Sequence, residues 1–453
     1  MSEKKVVVVG AGLVGSLLAA VLSKRGYKVS VYERRSDPRV ANLYAGRSIN
    51  LAMSVRGWRG LSLVGADKVI GDQAIPMYGR MMHPVKGEQT YQPYGTEGQA
   101  IYAVSRGGLN RVLMDFVENE YKVDIQFNHK CLDVDFEKGI LNFETPQGEV
   151  ITEQADLIFG ADGAFSAVRF AMQRKSDRFN YSQSYIEHGY KELLLPAAPD
   201  GSFQLEKNAL HIWPRGTFML IGLPNPDGSF TMTLFFQFEG EVSFSKIKSQ
   251  ADAHDFMADY FPDALQLIPD AEHQFMQNPT ASLVTVRTAP WVQGKAALIG
   301  DAAHAIVPFY GQGMNCGFED CYVLDSLIEK HNHDWDKILT EFQAERIPNA
   351  NAVADLAMAN FVEMRDLVAD PEFLLQKKIE AQIASKHPEK WTPLYTMVSF
   401  THTPYIKALS NGKQQDALMK KLLKNETFRS SWQEIEDFGQ WIDFDNLNPK
   451  IND

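Results

Sequence analysis

Three separated stretches of this chain carry the residue types that hold a phosphorylated cofactor. The first is Gly10-Ala-Gly12-Leu13-Val-Gly15, set between the apolar run Val6–Val9 and a helix-like stretch from Gly12 to Lys24. In such a turn the first glycine permits the tight bend and the second lets backbone approach a pyrophosphate. The third lets helix pack on strand, and the helix start offers free N–H groups to phosphate. Glu33 closes the next strand-like run, 18 residues after Gly15, where an acidic side chain can accept from a ribose hydroxyl. Arg34 and Arg35 follow, candidates for adenine or phosphate, with at least one of them expected at the solvated surface. The second stretch is "GADGAFSAVR", residues 160–169, in which Asp162-Gly163 follows a strand. The third is "LIGDAAHAIVPFYGQGMNCGFEDC", residues 298–321, where Gly300-Asp301 ends a strand and a loop leads into a long helix. It holds a carboxylate, a tight loop and a helix start, but no paired nucleophile and base and no metal-ligand spacing. A bound cofactor that itself carries the reactive chemistry accounts for that combination, and no metal is expected. His304, the one ordinary acid–base residue there, reads as a packed, hydrogen-bonded side chain.

These segments need a scaffold that brings them together. Val6–Val9 is continuous and β-branched, as a parallel strand buried on both faces should be, and with the helix and Lys28–Glu33 it makes a βαβ unit. Leu109, Val112, Leu113, Phe116 and Val117 have helical spacing within 106–120, and short strands are predicted at 123–127, 131–136 and 140–143. From about residue 181 to 238 the pattern turns alternating and aromatic, with turn chemistry at Pro224-Asn-Pro-Asp-Gly228. That predicts an antiparallel sheet, and helical signals dominate after Asp301. Cofactor elements lie at both ends of the chain, so their domain must be discontinuous.

Composition narrows the function. The 453 residues suffice for a large core, and 45% hydrophobic with 23% charged residues is ordinary for a globular chain. A net charge of −12 argues against a nucleic-acid surface, which needs a basic face. Cys131, Cys316 and Cys321 form neither a disulfide framework nor a C-x-x-C pair. The start, "KKVVVVGAGLVGSLLAAVLSKRG", has the charge and apolarity of a signal peptide, but its glycines and the "SKRG" that follows favour a buried strand and helix. With no long uninterrupted apolar run elsewhere, the expectation is a cytoplasmic monomer or homodimer with no membrane or nucleic-acid partner. The sequons at Asn180 and Asn425 are then chance matches.

The glycine spacing alone permits NAD or FAD. Taken with Asp162-Gly163 and Gly300-Asp301, it resembles the group A flavoprotein monooxygenases. The resemblance implies bound FAD, on a Rossmann-like domain of the para-hydroxybenzoate hydroxylase type, α/β in class and α+β overall. The cofactor domain would comprise residues 1–75, 98–178 and 282–375, the antiparallel-sheet substrate domain 76–97 and 179–281, and a helical C-terminal cap 376–453. Arg106, with Leu109 and Leu113, matches the helix that supplies an arginine near the flavin. Asp301 would accept from the ribityl chain, and Gly313-Met314-Asn315 would aim a helix start at the pyrimidine edge, where negative charge collects on reduction. Ala52 and Leu132 complete the implied cofactor contacts, with Tyr310 and Gln312 on the flavin side. Gly311 and Gly313 are followed by glycine only at 317, so no second G-x-G-x-x-G is present. A separate nicotinamide domain is therefore not indicated, which suits the group A resemblance. That resemblance implies a reduced nicotinamide, expected as NADPH, that visits as a transient reductant, and the sequence does not fix NADPH against NADH.

"ERRSDPR", "GRSINLA", "HGYKEL", "NALHIWP", "PFYGQGMN" and "NFVEM", in that order, resemble the kynurenine 3-monooxygenase family over nearly the whole chain. The resemblance implies hydroxylation of L-kynurenine to 3-hydroxy-L-kynurenine with NADPH and O2, through a flavin C4a-hydroperoxide, in tryptophan catabolism. Arg80, Tyr94, Asn360 and Tyr395 would grip the substrate carboxylate, and Glu363 and Met364 would line the same region. A planar guanidinium suits a carboxylate in two bonds, as lysine cannot. Phe309, Tyr310 and alternate members of Phe235, Phe236 and Phe238 would wall the ring from water. The family more often carries Phe or His at position 310. Two other readings share these motifs: a different group A aromatic or antibiotic hydroxylase, and a non-catalytic nucleotide-binding protein. Arg80 with Tyr94 speaks against the first, Asp301 with the "GQGMN" helix start against the second.

Overall fold

A computed structural model describes residues 4–40, 50–95, 98–364 and 370–450. The start of "GRSINLA", residues 46–49, lies outside the described residues. The predicted βαβ unit forms the centre of a six-stranded sheet. Its order is Val292–Gln293, Ala296–Leu298, Leu157–Gly160, Lys5–Val9, Lys28–Tyr32, Asp124–Gln126. All joins are parallel except the first, between Val292–Gln293 and Ala296–Leu298. Val6, Val7 and Val8 are fully buried, because helices cover this sheet. The Leu13–Lys24 helix packs against both Arg106–Tyr121 and Gly313–Lys330. Parallel order brings the carboxyl ends of Lys5–Val9, Leu157–Gly160 and Ala296–Leu298 to one edge, and all three cofactor segments emerge there.

The second sheet has seven strands, in the order Ala281–Ala289, Asn180–Leu195, Phe230–Gln237, Met219–Pro224, Ala209–Pro214, Gly79–Met82, Thr90–Pro93. It departs from the expected antiparallel sheet at one join, where Ala209–Pro214 runs parallel to Gly79–Met82. Those strands come from distant parts of the chain, so no hairpin dictates their direction. Two expected boundaries also move. Ala281–Ala289 pairs along Asn180–Leu195, so the sheet runs on past residue 281. The Pro371–Lys386 helix, capped by Asp370, spans the boundary expected at 376. The polar C-terminal stretch is mostly helical but ends in a short hairpin, Ile442–Asp443 with Asn448–Pro449. Among the described residues no helix is long and apolar enough to cross a membrane.

One apolar cluster joins the two halves. Phe235, Ile212 and Met219 of the seven-stranded sheet meet Phe309 and Tyr310 of the 298–321 segment. Phe361 of the long Trp335–Val362 helix and Met397 and Tyr405 of the C-terminal helices close the same cluster. The far side of the sheet carries a polar triad. His83 Nε2 lies 2.9 Å from His211 Nδ1, and His211 Nε2 donates to the Glu206 carbonyl at 2.9 Å. His211 is 1% exposed, and burial pushes its imidazole down to about 4. The unfolded chain takes up this proton near pH 6.5 and the folded chain only near 4, so stability present above pH 6.5 is lost as the pH falls through that window. The shift corresponds to about 3 kcal/mol. Urea midpoints between pH 7 and 4 should therefore fall less steeply for His211→Gln than for the parent chain.

Candidate active site

Built side chains show what each glycine of the first turn does. A Cβ at Gly15 would lie 2.0 Å from the Gly10 carbonyl oxygen, and one at Gly10 would lie 2.6 Å from that of Ala161. At Gly12 nothing comes within 4 Å, so the backbone is open to a ligand. Gly12 caps the Leu13–Lys24 helix without a side-chain bond and no acidic residue sits in its first turn, which leaves the N–H groups for phosphate. Glu33 holds the turn, its Oε2 accepting from Ala11 N and its Oε1 from Arg35 N, both at 2.9 Å. Each oxygen keeps lone-pair capacity for a ribose hydroxyl. Arg34 and Arg35 are exposed.

The other two segments close on this turn. A Cβ at Gly10 would also stand 2.9 Å from the Asp162 Cα. Val14 would be struck by side chains at Gly300, at 3.0 Å, and at Gly317, at 2.5 Å. Asp162 Oδ2 accepts from Ala167 N and Val168 N, whereas its buried Oδ1 has no partner among the described residues. Burial raises this carboxyl above the usual range against the pull of those hydrogen bonds. Asp301 is half-buried at the start of a one-turn helix, after Gly300 at φ 60°. Leu132 is 40% exposed on Lys130–Asp135.

The Gly313–Lys330 helix starts at Gln312 with no side-chain cap, so its first-turn N–H groups stay available, Met314's included. Asn315 uses its side chain inside the protein: Oδ1 accepts from Ser54 N at 2.9 Å, and Nδ2 donates to the carbonyls of Ala52 at 2.8 Å and Gly311 at 2.7 Å. Its backbone N–H remains for a cofactor, as a helix start aimed at a ring edge requires. Ala52 lies against the loop, 3.2 Å from where a Gly311 side chain would begin. Arg106 is exposed at the start of its helix, and its charge lowers the titration of Tyr190 and Glu192 on the second sheet, both raised chiefly by burial. An open glycine backbone, two uncapped helix starts and an orphaned carboxylate oxygen suit the phosphates, hydroxyls and ring edge of FAD.

Beside this cleft lies an aromatic cluster around one arginine. The Arg80 guanidinium carbon sits 4.6 Å from the Tyr395 ring centroid and 5.5 Å from that of Tyr94. Tyr395 stacks on Tyr94 at 5.2 Å and on Tyr310 at 5.5 Å. Among the described residues, Arg80 Nε and the Tyr94 hydroxyl are buried without partners, donors free to meet an acceptor from a ligand. Burial opposes the Arg80 charge, but Tyr395, Tyr94 and Glu363 outweigh it and raise its titration. Burial pushes the Tyr94 and Tyr310 phenols well up, so both remain protonated donors.

Asn360, expected to complete the grip on the carboxylate, donates its Nδ2 to the Phe309 carbonyl at 2.7 Å and contacts Met364 Sδ at 3.3 Å. It sets the loop that carries Phe309. Of the three sheet phenylalanines, only Phe235 faces the cluster, 5.0 Å from Phe309. Phe236 packs into the opposite core, and Phe238 lies over Gly189 and near Phe244, as strand alternation and the strand's end require. Phe361, stacked on Phe309 at 4.2 Å, completes the wall. The sequence offered it only as a member of the "NFVEM" motif. His304 is buried, its Nε2 2.6 Å from Asp320 Oδ2. Burial opposes its charge, and Asp320 and Cys316 hold it well above the usual histidine range. His304, Cys316 and Asp320 place ligand atoms within 4.8 Å of one another, but Arg346 already fills the space, 2.6 Å from Asp320 and 3.3 Å from Cys316 Sγ. The group is an ion-pair cluster rather than a metal centre.

This fold and cleft define an FAD-dependent aromatic hydroxylase. The family described as FAD binding domain matches residues 3–357. Solved structures agree in fold. The tetrameric form of 2-methyl-3-hydroxypyridine-5-carboxylic acid oxygenase superposes with a TM-score of 0.67 at 21% identity, over 82% of this chain and 95% of that one. PqsL of P. aeruginosa, in complex with 2-aminobenzoylacetate, gives 0.64 at 17% identity, over 81% and 97%. Sequence relatives are nearer. A kynurenine 3-monooxygenase of Flavobacterium johnsoniae is 50% identical over 430 residues, 94% of this chain and 96% of its own length. Those of Myxococcus xanthus and Dictyostelium discoideum are 49% and 43% identical, each over 93% of this chain and over 92% and 94% of their own lengths. The chain belongs to the kynurenine 3-monooxygenase family.

Since the Gly15 side-chain position is taken by a backbone carbonyl, Gly15→Ala must open the turn. The purified variant should retain less than about a tenth of the parent's flavin absorbance per chain while its far-ultraviolet dichroism stays close to the parent's.

Proposed function

We propose that this chain hydroxylates L-kynurenine at ring carbon 3, with NADPH as transient reductant and O2 as the oxygen source. The buried, unpartnered donors of Arg80 and Tyr94 carry this reading, because they call for an acceptor such as the substrate's carboxylate. Tyr395, stacked between Tyr94 and Tyr310, fixes the position of both. The named relatives supply the substrate's identity. A hydroxylase whose substrate has no carboxylate would leave these donors orphaned, so that alternative is disfavoured.

Bound FAD supplies the electron transfer from NADPH and the activation of oxygen. Gly10, Gly12, Leu13 and Gly15 would hold its pyrophosphate through backbone, Glu33 a ribose, and Asp162 and Asp301 hydroxyls along its length. The N–H groups of Gly313, Met314 and Asn315 would face the flavin's pyrimidine edge and stabilise charge that gathers there. Arg106, exposed at the start of its helix, would add a positive charge beside the flavin. The protein need not remove a proton from the substrate ring, since an ortho amino group already donates electron density into it. Its tasks are alignment and dryness, met by Phe235, Phe309 and Phe361 around the ring position. His304 is locked into Asp320 and takes no part as a base. The cleft is built within one chain, so a monomer or homodimer suffices, and three unpaired, buried cysteines fit the cytoplasm.

The test supplies purified protein with NADPH and O2, with and without L-kynurenine, and follows the mass of the aromatic product. One added oxygen atom is expected, and its absence overturns the substrate reading. Arg80→Ala should raise KM by roughly 30- to 1,000-fold, about 2–4 kcal/mol, and Arg80→Lys should restore little of it. An unchanged KM removes Arg80 from the site.

A further inference from the structure

Behind the start of the Gly313–Lys330 helix runs a ladder of buried charges that no step of hydroxylation uses. Arg56 Nη1 donates to Glu319 Oε1 at 2.5 Å, and Glu319 Oε2 accepts from Arg346 Nη1 at 2.9 Å. Arg346 Nε donates to Asp320 Oδ1 at 2.6 Å, and Asp320 Oδ2 takes both His304 and the Gly300 N–H, the latter at 3.1 Å. All five side chains are 5% exposed or less. At its other end the Arg56 guanidinium donates to the carbonyls of Val398, Met397 and Thr403, around the end of the Leu394–Ser399 helix that carries Tyr395. It also lies 4.0 Å from the Tyr405 ring centroid. The fully buried Tyr405 donates its hydroxyl to Gln312 Oε1 at 2.9 Å.

The ladder therefore starts at Gly300 and returns to Gln312, the two residues that open the short helix of Asp301 and the Gly313–Lys330 helix. Burying five charges costs desolvation that apolar packing of the same volume would avoid, so stability does not explain it; geometric control of what it touches does. A Gln312 amide with its oxygen tied to Tyr405 turns its nitrogen away from that ring. The sequence carries no sign of this link, since Tyr405 lies 93 positions from Gln312 in an unremarkable "HTPYIK".

We propose that Tyr405 is a positioning residue for the cofactor: its hydroxyl orients the Gln312 amide so that the N–H end faces the flavin beside the first-turn N–H groups of Gly313–Lys330, and Arg56 holds Tyr405 in place. The C-terminal helices thereby complete the flavin site as well as the substrate site. The assignment rests on FAD occupying this cleft. Its signature is a midpoint potential, because a donor aimed at the pyrimidine edge favours the reduced, more negative flavin over the oxidised one.

The experiment measures flavin midpoint potential, melting temperature and L-kynurenine dissociation constant for the holoenzyme, Tyr405→Phe, Gln312→Leu and the double variant. Tyr405→Phe keeps the ring against Arg56 and should lower the preference for reduced flavin about tenfold, a drop of about 30 mV for a two-electron couple. Gln312→Leu should give the same drop and the double variant no more, with kynurenine affinity within about twofold of the parent. A parental midpoint in Tyr405→Phe, or shifts that add in the double variant, overturns the proposal. Should Tyr405→Phe not fold, Gln312→Leu decides alone, and a parental midpoint there is equally fatal. Protein that neither carries FAD nor takes it up overturns the FAD reading itself, and the potential does not enter.

Discussion

The Gly10 carbonyl oxygen stands 2.0 Å from where a side chain on residue 15 would begin, and the Ala161 carbonyl oxygen and Asp162 Cα stand 2.6 and 2.9 Å from where one on Gly10 would. Missing side chains let three backbone segments meet at the carboxyl edge of the parallel sheet. Gly300 and Gly317 extend the same contact through Val14, so the third segment docks on the first. Two helix starts, an orphaned carboxylate oxygen and an open strip of backbone at Gly12 follow from that approach. None of these groups is reactive by itself. Together they form a surface whose partial charges match a dinucleotide, which is why a site without a nucleophile or base can still be an active site.

The substrate side is built on a different principle. Arg80 sits at the one parallel join of the second sheet, among three stacked tyrosines contributed by the sheet, the flavin loop and the C-terminal helices. The rings lie against the guanidinium while its buried Nε stays unpartnered among the described residues, which leaves a positive charge in a poorly screening environment. Asn360 and Phe361 both hold the Phe309 loop, one by a hydrogen bond to its carbonyl and the other by stacking on its ring. The charged ladder from Gly300 to Gln312 ties both sides to the C-terminal helices. Cofactor cleft and substrate cluster therefore share one rigid support.

Much of the cofactor site could be read from the chain because its requirements are local. A glycine turn between strand and helix, an acidic residue closing the next strand, an Asp-Gly pair and a Gly-Asp pair each state their purpose within a few residues. The substrate side was less legible. Arg80 and Tyr94 stood out only through resemblance, and nothing in the pattern distinguished Asn360 as a loop anchor from Asn360 as a ligand. The Phe235, Phe236 and Phe238 run promised one inward face, yet which face was inward depended on how the sheet met the Phe309 loop. Domain limits at 281 and 376 moved for a similar reason: strand pairing and helix capping continue past the point where composition changes.

By itself the sequence determined the dinucleotide turn, the buried parallel strands, the change to an alternating aromatic sheet and the family to which the chain belongs. Those properties depend on residue type and on spacing within single elements. Only the tertiary structure decided that Ala209–Pro214 pairs in parallel with the strand of Arg80, that Asn315 spends its side chain on the loop, and that Tyr405 reaches Gln312. Each of these joins residues far apart in the chain, where the choice of partner follows from packing of whole elements and leaves no periodic trace in the sequence.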